Sequence, residues 1–150
     1  MQQEIHRLGA QAKSLPPRLE ALLAYWLQKC GSRAMPVRDD LPVQEMRPWL
    51  GQLTLIDVAD ERIRLCGTNL IPRFGREATG TCVGELAFDI AQQLKAILRA
   101  TVRGAAPIIA VSHIPLGRAV ISYCEAAMPL AGPGGGVCAV LLGSYEVPHS

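Results

Sequence analysis

IIAVSHI (residues 108–114), AVISYCEAAMPL (119–130) and VCAVLLGSY (137–145) follow one another late in the chain. Leu116-Gly117 separates the first two, and AGPGGG (131–136) separates the last two. Each run has the apolar, β-branched character of a strand, and the glycine-rich breaks read as turns. Strands joined by such short turns pair antiparallel, because a parallel pairing needs a crossover of roughly a dozen residues or more. The rest of the chain must pack on this three-strand meander.

Upstream of the meander, Leu86, Ile90, Leu94, Ile97, Leu98 and Val102 recur at helical spacing before Gly104. Residues 67–84 are rich in Gly and Thr, with Pro72 among them, and read as short helical turns and loops crossing one sheet face. Leu53 to Val58 reads as a strand. Beyond the turn at Asp60-Glu61, Ile63 and Leu65 alternate with Arg62 and Arg64, which gives a hairpin with one buried and one wet face. Val43 to Leu50 has the spacing of a short helix, and residues 32–42, with Pro36 and Pro42, read as a connector. Leu19, Leu22, Leu23, Trp26, Leu27 and Cys30 form an amphipathic helix opened by Pro16-Pro17 and stopped by Gly31. Residues 1–14 read as a weak helix or tail, and 15–150 as one domain. The fold class is α+β, a five-stranded antiparallel sheet with helices packed on one face and an N-terminal amphipathic helix.

Composition narrows the function classes. Of 150 residues, 49% are hydrophobic, enough for a core that needs neither disulfide nor metal. Aromatics are only 5%, so that core is built from Leu, Ile, Val and Ala. Fifteen basic against 13 acidic side chains leave a net charge of +2, with the arginines scattered rather than clustered. That is not a nucleic-acid footprint, and no nucleic-acid partner is expected. The cysteines Cys30, Cys66, Cys82, Cys124 and Cys138 make no CxxC pair, so no metal site is expected. The opening MQQEIHRLGAQAKS lacks the apolar core of a signal peptide, and no run is long enough to span a bilayer. Cytoplasmic residence without membrane insertion is the expectation.

Two stretches carry a family resemblance: AYWLQKCGSRAMPVRDDLPVQEMRPWLGQLTLIDV (24–58) and RIRLCGTNLIPRFGREATG (62–80). Their specific parts are Tyr25-Trp26, Met35-Pro36 with Arg38, Leu55 to Val58, Gly67-Thr68, and Phe74-Gly75-Arg76 before Thr79-Gly80. These stretches, and the order hairpin, helical cover, meander, resemble a PAS-like domain of the small single-domain bacterial type frequent in alphaproteobacteria. The resemblance is close in the middle of the chain and only a pattern in the last third. It implies a role in sensing or signalling and supplies no catalytic set. Flavin-binding light sensors of this fold carry Asn-Cys-Arg after the second strand. Here Gly67-Thr68-Asn69-Leu70-Ile71-Pro72-Arg73-Phe74 offers no adduct-forming Cys, which argues against flavin.

A ligand pocket in such a fold would lie between the sheet and the small helices, lined mostly by apolar side chains with a few polar groups. The candidates are Thr68, Leu70, Ile71 and Phe74 from the cover, and Ile109, Val111, His113, Ile121 and Tyr123 from the sheet. The competing reading is that these side chains simply fill the core. An inward His113 could ligate haem iron, although a satisfied core or edge histidine is the commoner outcome. Glu125 shares a strand face with Ile121 and Tyr123; if inward, it needs a cationic partner, for which Arg73, Arg76 and Arg118 are available. Cys124 reads as a buried thiol. GREATG and the run Gly134 to Gly136 are not phosphate loops, the first lacking a Lys and the second leading into a strand.

The reading reached is a non-catalytic sensor or interaction module in bacterial signalling, binding a small ligand or a protein partner. The helix carrying Leu19, Leu22, Leu23 and Trp26 is the expected surface for a homodimer or signalling partner, unless it packs on its own domain. The alternatives are a small cone-shaped α+β enzyme using Glu125 with His113 as an acid–base pair, and a structural partner with no ligand.

Overall fold

The computed structural model describes residues 3–7 and 15–148. Its elements are β1 (Gln3–Arg7), α1 (Pro17–Cys30), a 3-10 run (Val43–Gln52), β2 (Leu53–Asp57), β3 (Ile63–Cys66), α2 (Ile71–Phe74), α3 (Phe88–Gly104), β4 (Ile108–Leu116), β5 (Ala119–Ala131) and β6 (Val137–Val147). The strands form one six-stranded sheet in the order β1-β4-β5-β6-β2-β3, and every neighbouring pair is antiparallel. The architecture is α+β as read from the sequence.

Two features differ from that reading. Gln3–Arg7, expected within a tail or weak helix, is an edge strand that pairs with Ile108–Ser112. Its five residues are too few and too polar to announce a strand; the partner edge supplies the order. The helices are also not gathered on one face. Leu19, Leu22, Leu23 and Trp26 of α1 pack with Leu53, Leu55, Ile109, Ala126, Met128 and Leu141. Leu70, Phe74, Leu94 and Ile97 pack on the other face with Ala110, Ala127, Val140 and Leu142. A β-sheet strand buried on both faces reads as a continuous apolar run, which is why residues 126–130 and 139–142 alternate so little.

The seat of α1 is tight. Trp26 Nε1 donates to the Pro129 carbonyl at 3.0 Å. A Cβ at Gly143 would lie 2.5 Å from Leu22 Cδ2, so the glycine lets the helix approach the sheet. The four α1 residues expected on a dimer surface are therefore core residues of their own chain, none more than 4% exposed. The amphipathic stripe is real, but its partner is the sheet.

Candidate functional site

A charged cluster lies inside the layer between the sheet and the α2–α3 cover. Glu125 of β5 and Arg73 of α2 are both buried and form a two-pronged ion pair. Arg73 Nη1 bonds Glu125 Oε1, and Arg73 Nη2 lies 3.2 Å from Oε2. Ser112 of β4 donates to Oε2 at 2.9 Å, and Ser144 of β6 donates to Oε1 at 2.8 Å. The two strands flanking β5, together with α2, thus deliver side chains to one carboxylate. With its roughly four acceptor positions filled, the ionised form is fully satisfied.

The donors fix the direction of the network. Each serine hydroxyl spends its one proton on Glu125 and remains free to accept. Ser144 Oγ accepts from Arg73 Nη1 at 3.4 Å, and Ser112 Oγ accepts from Gln3 Nε2 at 3.1 Å. Gln3 also reaches the Gln93 carbonyl of α3 at 3.2 Å, so β1 is tied to the cluster and to the helical cover. The Arg73 guanidinium stands 5.0 Å from the Tyr123 ring centroid and 5.7 Å from that of Phe74, a cation held against aromatic faces. Arg73 Nε is buried with no hydrogen-bond partner among the described residues. Burial pushes the Tyr123 phenol up, while Arg73 pulls it partly back.

The candidate pocket residues divide between the two faces. Leu70, Phe74 and Tyr123 are buried in the α2–α3 layer, with Ile121 packed against it. Thr68 opens the 3-10 turn before α2, and Ile71 begins α2. Ile109 belongs to the α1 layer instead, and Val111 and His113 follow it by alternation. The cause is the hairpin register. Leu116 pairs with Ala119 across the two-residue turn Gly117-Arg118, so odd-numbered β4 residues face even-numbered β5 residues. Val111 pairs with Cys124, and His113 with Ser122.

That parity bears on two of the alternatives weighed from the sequence. His113 does not point into the space beneath the helical cover where a bound haem was considered. Its Nδ1 lies 2.7 Å from Ser122 Oγ. Nor do His113 and Glu125 form an acid–base pair, since the sheet lies between their side chains. Cys124, on the α1 face, is a buried thiol pushed up to about 11 by burial, with Glu125 adding to the shift. A thiol so protonated is a poor nucleophile. The inward Glu125 does find its cation among the three arginines considered, in Arg73. Ser112, Ser144 and Gln3 were not foreseen. The signal for Ser112 was its parity with Tyr123 across the tight turn.

Two surface grooves lie apart from the cluster, flanking the C-terminal part of α3. None of the pocket candidates lines either one. Among the described residues no group of His, Cys, Asp or Glu could hold a metal ion, and no helix is long and apolar enough to cross a membrane. His149 lies outside the described residues.

Residues 15–128 match the family model described as PAS domain. No curated protein matches the sequence. Among solved structures, the PAS domain of Bordetella pertussis BvgS aligns with a TM-score of 0.53 at 16% identity, over 71% of this chain and 87% of that one. A Vibrio cholerae VqmA dimer in the absence of target DNA, described in terms of the DNA-binding mechanisms of LuxR-type receptors, aligns with a TM-score of 0.57 at 9% identity, over 72% of this chain and 53% of that one. An RNA-binding light-oxygen-voltage receptor aligns with a TM-score of 0.57 at 14% identity, over 97% of this chain and 38% of that one. This chain thus spans about half of the VqmA chain and less of the receptor. At such identities the likeness is one of fold. One of these proteins is described as DNA-binding and another as RNA-binding, so the comparisons lend no support to the expectation that this chain has no nucleic-acid partner.

Proposed function

Because this chain belongs to the PAS domain family, we propose that it is a non-catalytic sensor module of bacterial signalling whose responsive element is the Arg73–Glu125 cluster. The observation that carries the reading is an ion pair with both side chains wholly buried beneath a four-residue helix. An ion pair in that position is weak support for stability, since desolvation offsets much of the attraction. It is well suited to a switch. A ligand bearing a carboxylate or another acceptor can compete with Glu125 for Arg73. The helix carrying Arg73 is a single turn, so few backbone hydrogen bonds hold it in place.

The route outward follows the hydrogen bonds. Displacement of Arg73 leaves Glu125 to its two serines. Ser112 is the hydroxyl on which Gln3 of β1 rests. A change under α2 is thereby felt at the edge strand, whose Gln3 lies 109 residues from Ser112 in sequence. The pocket residues fitting this reading are Leu70, Ile71, Phe74, Ile121 and Tyr123, whereas Thr68 is exposed. Contact with a second copy or another signalling protein uses a surface other than the buried side of α1. Cytoplasmic residence is part of the same proposal.

Native mass spectrometry and an absorbance spectrum of freshly purified protein test it. The expected result is an added small-molecule mass on the wild type that Arg73→Met no longer retains. A bare mass for the wild type, unchanged on incubation with a panel of small carboxylic acids, would assign the chain to the ligand-free structural reading.

A further inference from the structure

Two grooves run along the exposed C-terminal part of α3, and Arg103 lines both. The first, about 300 Å³, is completed by Val58, Glu61, Leu98, Arg99 and Val102. The second, about 630 Å³, has Ile5, Ala100, Pro107 and Ile108 for its apolar wall and His6 at its rim. Arg99 and Arg103 are exposed, four residues apart, and neither has an ion pair among the described residues. Four residues of helix advance about 6 Å, so the two guanidinium groups share one ridge. The partial negative charge at a helix C-terminus is about half an elementary charge, too little to neutralise two full cations. Glu61 faces the first groove, and Glu4 sits 3.8 Å from His6 beside the second. The ridge between them remains cationic.

We infer that this face of α3 docks an acidic segment of a partner protein, with a carboxylate pair on Arg99 and Arg103 and an apolar side chain in each groove. The inference goes beyond the core cluster and stands whether or not a ligand enters it. The pattern of the surface names its occupant: apolar, cationic, apolar. Crossing a helix about 10–12 Å thick takes three or four extended residues, so the partner reads as two apolar anchors with acids between them. A nucleic-acid strand fits less well, because it presents phosphates without apolar anchors and calls for a longer row of cations. Charge complementarity of this kind sets orientation and excludes partners of the wrong sign.

Amide chemical-shift mapping on the whole chain provides the test, with three probes. These are an acetylated, amidated Leu-Glu-Asp-Ala-Phe peptide, its Leu-Lys-Lys-Ala-Phe counterpart, and a short single-stranded oligouridine. The acidic peptide is expected to shift amides over residues 98–108 and around Ile5 and Val58. Arg99→Glu with Arg103→Glu, both at exposed positions, is expected to weaken it by about tenfold or more. Equal shifts from the lysine peptide, shifts scattered over the molecule, or no shift at millimolar peptide would each overturn the inference. Tighter binding of the oligouridine at the same amides would overturn it in favour of a nucleic-acid surface.

Discussion

Removing the charge of Glu125 while keeping its shape should destabilise the protein far more than a change of one atom suggests. In Glu125→Gln, Arg73 keeps a full charge with its side chain wholly buried, against two serines that can no longer both donate to a carboxylate. Breaking one side of a buried pair costs about 3–5 kcal/mol. For a chain of this size each kcal/mol lowers Tm by about 2–4 °C, so a fall of about 6–20 °C is expected. Arg73→Met should cost a similar amount by stranding the carboxylate. The double variant removes both charges together and should be less destabilised than the sum of the singles by about 2 kcal/mol or more, the range seen for side chains in one network. Urea melts of the four proteins, followed by far-UV circular dichroism, measure this directly. The exposed pair Arg33–Asp40, whose side chains are 50% and 30% accessible, serves as the control and should show no measurable coupling. Additive effects of the two core substitutions, within about 0.5 kcal/mol, would show that Arg73 and Glu125 do not act as a unit.

Two further outcomes follow from packing and from the thiols. A Cβ at Gly67 would stand 2.3 Å from the Gly51 carbonyl oxygen, a backbone atom with nowhere to go, whereas at Gly84 it would meet only the far end of Lys95 at 3.8 Å. Gly67→Ala should therefore cost about 1–3 kcal/mol in a denaturant melt and Gly84→Ala little, and equal effects would contradict the close approach. Alkylation with iodoacetamide followed by mass spectrometry should modify exposed Cys138 first and half-buried Cys82 next, leaving Cys30, Cys66 and Cys124 until the protein unfolds. The folded-state pKa of Cys124 lies above its unfolded value, so its stabilising contribution is intact at neutral pH and is lost as pH rises from the ordinary thiol range to about 11. An alkaline melting series on wild type and Cys124→Ala checks that sign: the variant should lose less stability across this window.

Much of the fold was legible because local and global signals agreed. The helix at Pro17–Cys30 carried a Pro start, a Gly stop with φ of 59° and an apolar stripe, and each survives in the structure. The meander was fixed by turns too short for any other pairing. The strand Gln3–Arg7 was not legible, because nothing in QEIHR specifies an edge strand apart from the neighbour it joins. The side of the sheet taken by α1 was equally hidden. A stripe such as Leu19, Leu22, Leu23 and Trp26 states that a face is buried and does not name what covers it. Gly143 held the missing hint: in a strand otherwise filled with Val and Leu, a glycine marks close approach of another element.

The candidate site was half legible, and the missing half turns on one integer. That an inward Glu125 would need an arginine followed from burial cost alone, whereas its inward placement was left open. Assigning β4 side chains to a face required the length of the turn, and a two-residue loop makes the paired residue numbers sum to an odd value. Counting from Gly117-Arg118 separates His113 from Glu125 and brings Ser112 to the carboxylate in the same stroke. The register of β6 was beyond such counting, because the pairing slips between Leu130 and Ala131 just before the glycine loop. Ser144 could be found only once that irregularity was seen. This asymmetry explains why sequence reasoning named the partner an inward Glu125 would need and still misjudged its other neighbours. Burial energetics act on single residues, whereas a hydrogen-bond network depends on register, and one shifted residue moves every donor to the opposite face.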